Sequence, residues 1–360
     1  MKVLHVLRQL NPGGIECWLE RLIRLWPQQS RPEFHLALEE SDFGILAPEF
    51  VSQGVKLHYC PPPRKFGDSA RSFLSILKRS GPFAAVHCHN HHASAFHLLL
   101  AAKSGVPLRI SHSHADLRNG LAQQFVLRHW YRKSASLALQ SLANIKLAVS
   151  GGAAKDLFGE HARGLSVFPC GTDFESLFAA ECRPDPSRFT LVHVGRLVPG
   201  KNHQLLLKIM AALIQRQSNA RLWLVGDGPL RSSLELEATR LGIGECVHFW
   251  GNRSDVPALL GAANLFIFPS LAEGLGLAAI EAQAAGLPVL LARHLPKDLN
   301  LLPGRCRRLA LDLPIHKWVD SILEMSAIPA MSLTERRSAL GQSRFSIHSN
   351  IRILSRIYAG

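Results

Sequence analysis

Short apolar runs alternate with helix-like stretches along the whole chain, and that alternation admits few folds. Strands that follow one another through helices lie parallel, with the helices covering the sheet faces. Runs at 3–7, 34–38, 84–88, 108–111, 146–149 and 165–168 read as strands of one sheet. Those at 189–194, 220–225, 247–250, 265–268 and 288–291 read as strands of a second. Helical spacing fills the gaps, as at 204–215 and 230–241. The pattern breaks at Cys182-Arg-Pro-Asp-Pro-Ser-Arg188, where two prolines in a polar stretch suit a linker, and then restarts. A chain of 360 residues is long enough for two cores. The expected fold is therefore α/β: two doubly wound, Rossmann-like parallel-sheet domains, 1–180 and 181–345, facing each other across a cleft. A last segment, 346–360, carries an amphipathic helix pattern with Ile351, Ile353, Leu354 and Ile357 apolar.

In such sheets ligands bind beyond the carboxyl ends of the strands, so the loops after strands carry the chemistry. After the first strand comes Asn11-Pro-Gly-Gly-Ile-Glu-Cys-Trp18, where Gly13 and Gly14 would let backbone approach a phosphate or sugar. It is neither a Gly-x-Gly-x-x-Gly fingerprint nor a P-loop. The second half offers more. Gly195-Arg-Leu-Val-Pro-Gly-Lys-Asn202 places Arg196 and Lys201 around a turn at a helix start, a fork and a point charge suited to phosphate. Gly226-Asp-Gly-Pro-Leu230 is a second tight turn. Gly251-Asn-Arg-Ser-Asp-Val256 could hold a nucleobase, with Asn252 in the loop and Arg253 near the base edge. Pro269-Ser-Leu-Ala-Glu-Gly-Leu-Gly-Leu-Ala-Ala-Ile-Glu281 follows an apolar strand and opens a helix. Two carboxylates, Glu273 and Glu281, at a helix start call for hydroxyl-rich neighbours or a basic counterweight.

These four loops, in this order, resemble the donor domain of the retaining glycosyltransferases of the GT-B fold, family 4. Gly13-Gly14, Val149-Ser150 and Phe168-Pro-Cys-Gly-Thr-Asp173 fit the same family, so the likeness covers nearly the whole chain. Arg109-Ile-Ser-His-Ser-His114 and Glu281-Ala-Gln-Ala-Ala-Gly286 are similar to exopolysaccharide and capsule enzymes. The resemblance implies transfer of a sugar, with retention, from a nucleotide-sugar donor, expected to be a UDP-sugar. The acceptor would be a glycan or lipid-linked glycan in exopolysaccharide, capsule or lipopolysaccharide synthesis. It implies that Arg196 and Lys201 bind the donor diphosphate, Glu281 the ribose hydroxyls and Glu273 the hydroxyls of the transferred sugar. Gly14 and the amides around Leu275, Gly276 and Leu277 would close over phosphate and sugar, with Gly195 and Gly226 in the donor loops. His114 would stand near the reaction centre, with His89 and Asp116 on the acceptor side. The last helix would return to the first domain. Cys170, Thr172 and the stretch after Pro288 depart from the family's usual residues.

The seven histidines His87, His89, His91, His92, His97, His112 and His114 crowd one region. The sequence shows no carboxylate or cysteine partners at ligand spacing, so no metal is expected there. Nor does Asp-x-Asp occur anywhere. Catalysis is expected to need no metal and no cofactor, with Arg196, Lys201 and helix N-termini neutralising the diphosphate.

Net charge is +14, shared equally by the two halves. It favours an anionic partner or a plain solvated basic surface. No helix-turn-helix, zinc finger or aromatic sheet motif supports nucleic acid. Arg64-Lys-Phe, Arg71-Ser-Phe-Leu-Ser-Ile-Leu-Lys-Arg79 and Arg128-His-Trp-Tyr-Arg-Lys133 mix basic and apolar residues, as a membrane-docking surface would. The opening strand is too short for a signal sequence, and no apolar run approaches the roughly 20 residues of a spanning helix. Seven scattered cysteines without a Cys-x-x-Cys pair suit reduced thiols. A cytoplasmic protein, peripheral on the inner membrane face, is the expectation. The rivals are a nucleotide-sugar epimerase on the same scaffold and a basic nucleic-acid-binding protein; an NAD-dependent oxidoreductase lacks its fingerprint.

Overall fold

A computed structural model describes residues 1–115, 126–160, 162–180, 184–329, 331–341 and 343–359. The chain divides into two compact units. One comprises Met1–Gly171 with Ile347–Gly360, the other Thr172–Ser346. The division falls upstream of the proline-containing stretch 182–188.

The first unit holds a seven-stranded sheet of β1 (Lys2–Leu7), β2 (Glu33–Leu38), β3 (Lys56–Tyr59), β4 (Ala85–Cys88), β5 (Leu108–Ser113), β6 (Ile145–Ala148) and β7 (Leu165–Val167), ordered β3-β2-β1-β4-β5-β6-β7. Every pairing is parallel. β4 is buried along its length and β1 from Val3 onward, so neither shows the apolar–polar alternation of a half-solvated sheet. Helix Gly14–Arg24 buries Trp18, Leu19, Leu22 and Ile23, one stripe at 3.6-residue spacing. Ser150 caps helix Gly151–Phe158 by accepting from the Ala153 amide. The last helix, Ile347–Ala359, belongs to this unit: Asn350 Oδ1 accepts from Trp18 Nε1 at 2.7 Å, and Tyr358 Oη meets His87 Nδ1 at 2.8 Å.

The second unit holds β8 (Phe189–Val194), β9 (Ala220–Val225), β10 (Val247–Gly251), β11 (Leu265–Phe268), β12 (Val289–Ala292) and β13 (Cys306–Leu309), again parallel and ordered β10-β9-β8-β11-β12-β13. Its core joins Leu206, Met210 and Leu213 of helix His203–Leu213 to Leu191, Leu222 and Ile267 of the sheet and to Trp318 of helix Ile315–Ser326. Trp318 is fully buried, and truncating such a side chain costs about 3–5 kcal/mol. Two doubly wound parallel sheets are what the sequence predicts.

Candidate active site

The order of the second sheet reverses at β8, whose neighbours are β9 and β11. The loops after β8 and β11 therefore emerge side by side, at the switch point where open α/β sheets take their ligands. Lys201 ends the short turn Pro199–Lys201, and its Nζ donates to Glu273 Oε1 at 2.5 Å. The side chains are only 21% and 10% exposed, so the pair is shielded from bulk screening. The Phe268 ring lies beneath the ammonium, 5.1 Å to its centroid, and adds a cation–π attraction. Asn202, in the left-handed region at φ 57°, donates from Nδ2 to the Pro269 carbonyl, and the Leu271 amide donates to Gly200 O at 2.8 Å. Both bonds tie the two loops together. Arg196 stands exposed in the first loop, with no ion-pair partner among the described residues.

Glycine is needed most at Gly226. Its φ is +129°, and a Cβ there would sit 2.3 Å from Gly195 O. Its amide donates to Gly251 O at 2.8 Å, so the turns after β8, β9 and β10 are held as one group. Asn252 and Arg253 are exposed in the third turn. Both arms of the Arg253 fork go to the Asp255 carboxylate at 2.7 Å, with the guanidinium 5.3 Å from the Trp250 ring centroid. The structure thus turns Arg253 onto its own loop rather than holding it out for a base edge.

Helix Leu277–Ala284 begins at Gly276, whose φ of 86° is the left-handed conformation that glycine adopts without strain. Leu275 and Gly276 are buried and Leu277 half-buried. The first amides of this helix lack intrahelical acceptors and suit anionic or hydroxyl ligands. Glu281 lies one turn in, 7% exposed, and accepts from Thr172 Oγ1 at 3.0 Å. Sequence reading did not connect Thr172 to this site. It also passed over Gln283, which is fully buried. Its Nε2 donates to Leu299 O and its Oε1 accepts from the Leu301 and Leu302 amides, fixing the neighbouring loop. Beneath the cations sit two buried imidazoles. Burial, then His203 and Lys201, hold His193 well below the usual range; burial and then Lys201 lower His203 to about 4. Both therefore remain neutral at pH 7.

In the first unit Gly13 caps helix Gly14–Arg24 with φ −161°, an extended conformation open to any residue, and Gly14 is exposed. The carboxylate of Glu16 lies over Gly13, 2.5 Å from where a Cβ would be. His89 and His114 follow β4 and β5 directly. Their Nδ1 and Nε2 meet at 2.8 Å, and His114 Nδ1 lies 3.5 Å from Cys170 Sγ. His114 is half-buried, and both of its ring nitrogens have partners within the unit. Asp116 lies outside the described residues. Sequence reading missed His5 on β1, whose Nδ1 is 2.9 Å from His89 Nε2. His87 and His112 are packed into the same buried cluster.

A shielded cation–carboxylate pair, glycine turns tied into one cradle and a helix N-terminus stand together at the switch point where open α/β sheets take their ligands. Residues 178–296 match the family described as glycosyl transferases group 1. A Bacillus subtilis (strain 168) protein named glycosyltransferase EpsF is 30% identical across 99% of this chain and 96% of its own length. The chain belongs to the glycosyltransferase group 1 family and is a glycosyltransferase. An Escherichia coli relative named UDP-Gal:alpha-D-GlcNAc-diphosphoundecaprenol alpha-1,3-galactosyltransferase is 26% identical over 81% of this chain and 79% of its own. In fold, the chain matches the crystal structure of Anabaena Alr3699/HepE in complex with UDP, with TM-score 0.79, 19% identity and full coverage of both chains. The same Anabaena protein in complex with UDP-glucose aligns with TM-score 0.78.

Proposed function

We propose that the protein transfers a sugar from a UDP-sugar to a glycan or lipid-linked glycan acceptor, with retention and without a metal at the diphosphate. The observation that carries this reading is the Lys201–Glu273 pair at the β8/β11 switch point, with Arg196 exposed in the same loop. Breaking a glycosyl–phosphate bond passes through an oxocarbenium-like state while negative charge grows on the leaving diphosphate. Preorganised cations aimed at that charge supply several kcal/mol in a dry site. Lys201 is preorganised by Glu273 and Phe268; Arg196 supplies the second cation. Glu273 then meets hydroxyls of the sugar, and Glu281, oriented by Thr172, those of the ribose. The leaving phosphate takes the acceptor's proton, so no dedicated base is required. A UDP donor is supported by the Escherichia coli relative's name and by the Anabaena complexes.

A lipid-linked acceptor would make docking on the inner membrane face useful. Phe66, 71% exposed at the start of helix Phe66–Ser80, and Trp130, 59% exposed beside Lys133, support it. Among the described residues no helix is long and apolar enough to cross a membrane.

Thermal shifts against UDP, GDP, ADP and their sugars test the assignment. UDP and a UDP-sugar should give the largest shifts, and Arg196→Ala and Glu281→Ala should abolish them. Full activity in both variants would remove the site.

A further inference from the structure

The first unit gathers imidazoles on one sheet face. His5 and His87 are register partners on β1 and β4. His89 and His114 continue that face past the ends of β4 and β5, with His112 on β5 packed against His114. The His112 and His114 ring centroids are 4.0 Å apart, those of His89 and His114 5.0 Å. His89, His112 and His114 can each offer a nitrogen such that all three lie within 4.8 Å of one another. We propose that these three side chains bind one divalent transition-metal ion of the zinc type, a site in the N-terminal unit additional to the donor residues Arg196 and Lys201.

The hydrogen bonds around the rings support this. A ligating imidazole needs one nitrogen for the ion and an outer partner for the other. His112 Nε2 lies 3.2 Å from the Phe168 carbonyl, which can only accept, so that nitrogen carries the proton. The lone pair is then on Nδ1, which is fully buried and has no hydrogen-bond partner among the described residues. Such an atom requires an explanation, and an ion is one. His89 has His5 on its Nε2, and His114 has Cys170 on its Nδ1. Their inner nitrogens, Nδ1 and Nε2, meet at 2.8 Å. An ion between them would replace that contact, while each ring keeps its proton on the outer nitrogen. Trp18 walls the group, its ring about equally close to all three. Three neutral nitrogens suit zinc, cobalt, nickel or copper far better than magnesium or calcium.

A neighbouring triad, His5, His87 and His89, shares His89. There Tyr358 Oη, which can donate or accept, fixes no tautomer, and all three side chains are buried. In the chosen triad His114 is only half-buried.

The untagged full chain, stripped with a chelator and titrated with Co²⁺, should take up one ion. The visible spectrum should be that of nitrogen-ligated, low-coordinate cobalt, and Zn²⁺ should displace it. His112→Gln should weaken uptake by more than about ten-fold, the scale at which even outer-shell partners matter. His114→Gln, at a half-buried position that folding tolerates more easily, should do the same. His87→Gln should leave uptake intact. No stoichiometric uptake by the parent chain would overturn the proposal. So would uptake unchanged in His112→Gln and His114→Gln, or uptake lost only in His87→Gln.

Discussion

The two parallel sheets reverse strand order in the same way, at β1/β4 in one unit and β8/β11 in the other, yet they fill the switch point with opposite chemistry. The second places a shielded ammonium–carboxylate pair there, with an exposed guanidinium in the same loop. The first places imidazoles there, buried except for half-buried His114. One topology therefore yields two electrostatic environments, and the side chains on the strand-end loops decide which. Charge stands where a charged ligand is expected; uncharged nitrogen donors stand where none need be neutralised.

The sharpest way to break this contrast is to remove the charge. Lys201→Ala takes away a preorganised cation and leaves Glu273 without its partner. Sugar transfer, measured as kcat/KM for a UDP-sugar, should fall about 10²–10³-fold. Activity within two-fold of the parent would mean that the cation does not act on the leaving group. Omitting Mg²⁺ and Mn²⁺ from the assay should leave the parent rate unchanged.

How far the sequence reveals these sites follows from where the contacts come from. The loops were legible because glycine and basic residues after an apolar run are local signals. Lys201 and Glu273 were each visible, but their contact spans 72 positions and depends on β11 lying beside β8. Thr172 and Glu281 are 109 positions apart. His5 sits inside the apolar run Lys2–Leu7 and looks like core until β4 is placed beside it. The strands missed, β3 and β13, are sheet edges. Lys56–Tyr59 is half exposed and Cys306–Leu309 carries two arginines, as edges that must resist further pairing do.

The donor cradle's backbone can be strained separately from its charge. Gly226→Ala adds a Cβ at a positive φ and against Gly195 O. It should lower the stability of the protein by roughly 1–3 kcal/mol in urea unfolding, and weaken UDP binding with it. Unchanged stability would show that the turn can open.

Acid should weaken the first unit. Burial, then the neighbouring charges of His91 and Arg132, lower His92 to about 3; burial lowers His97 to about 4. Both lie in the first unit. Below the ordinary imidazole value near 6.5 the unfolded chain binds protons that these folded side chains refuse. Stability therefore falls as pH drops from about 6.5 toward 4, by at most about 1.4 kcal/mol per pH unit for each histidine. The second unit has the same liability at His193 and His203. Pulse proteolysis at pH 7 and pH 5 should find more cleavage in residues 1–171 at the lower pH; equal cleavage at both would contradict it.

The smallest effect is expected at Arg253. Its fork is spent on exposed Asp255, and exposed pairs contribute little. Arg253→Ala should change UDP affinity by less than about five-fold.

That variant is the control for the most direct measurement, a calorimetric titration of UDP into the parent protein, Lys201→Ala and Arg253→Ala. Binding should be retained by the parent and Arg253→Ala and lost in Lys201→Ala. A Lys201→Ala protein that binds UDP as tightly as the parent would contradict the placement of the donor diphosphate at the β8/β11 switch point.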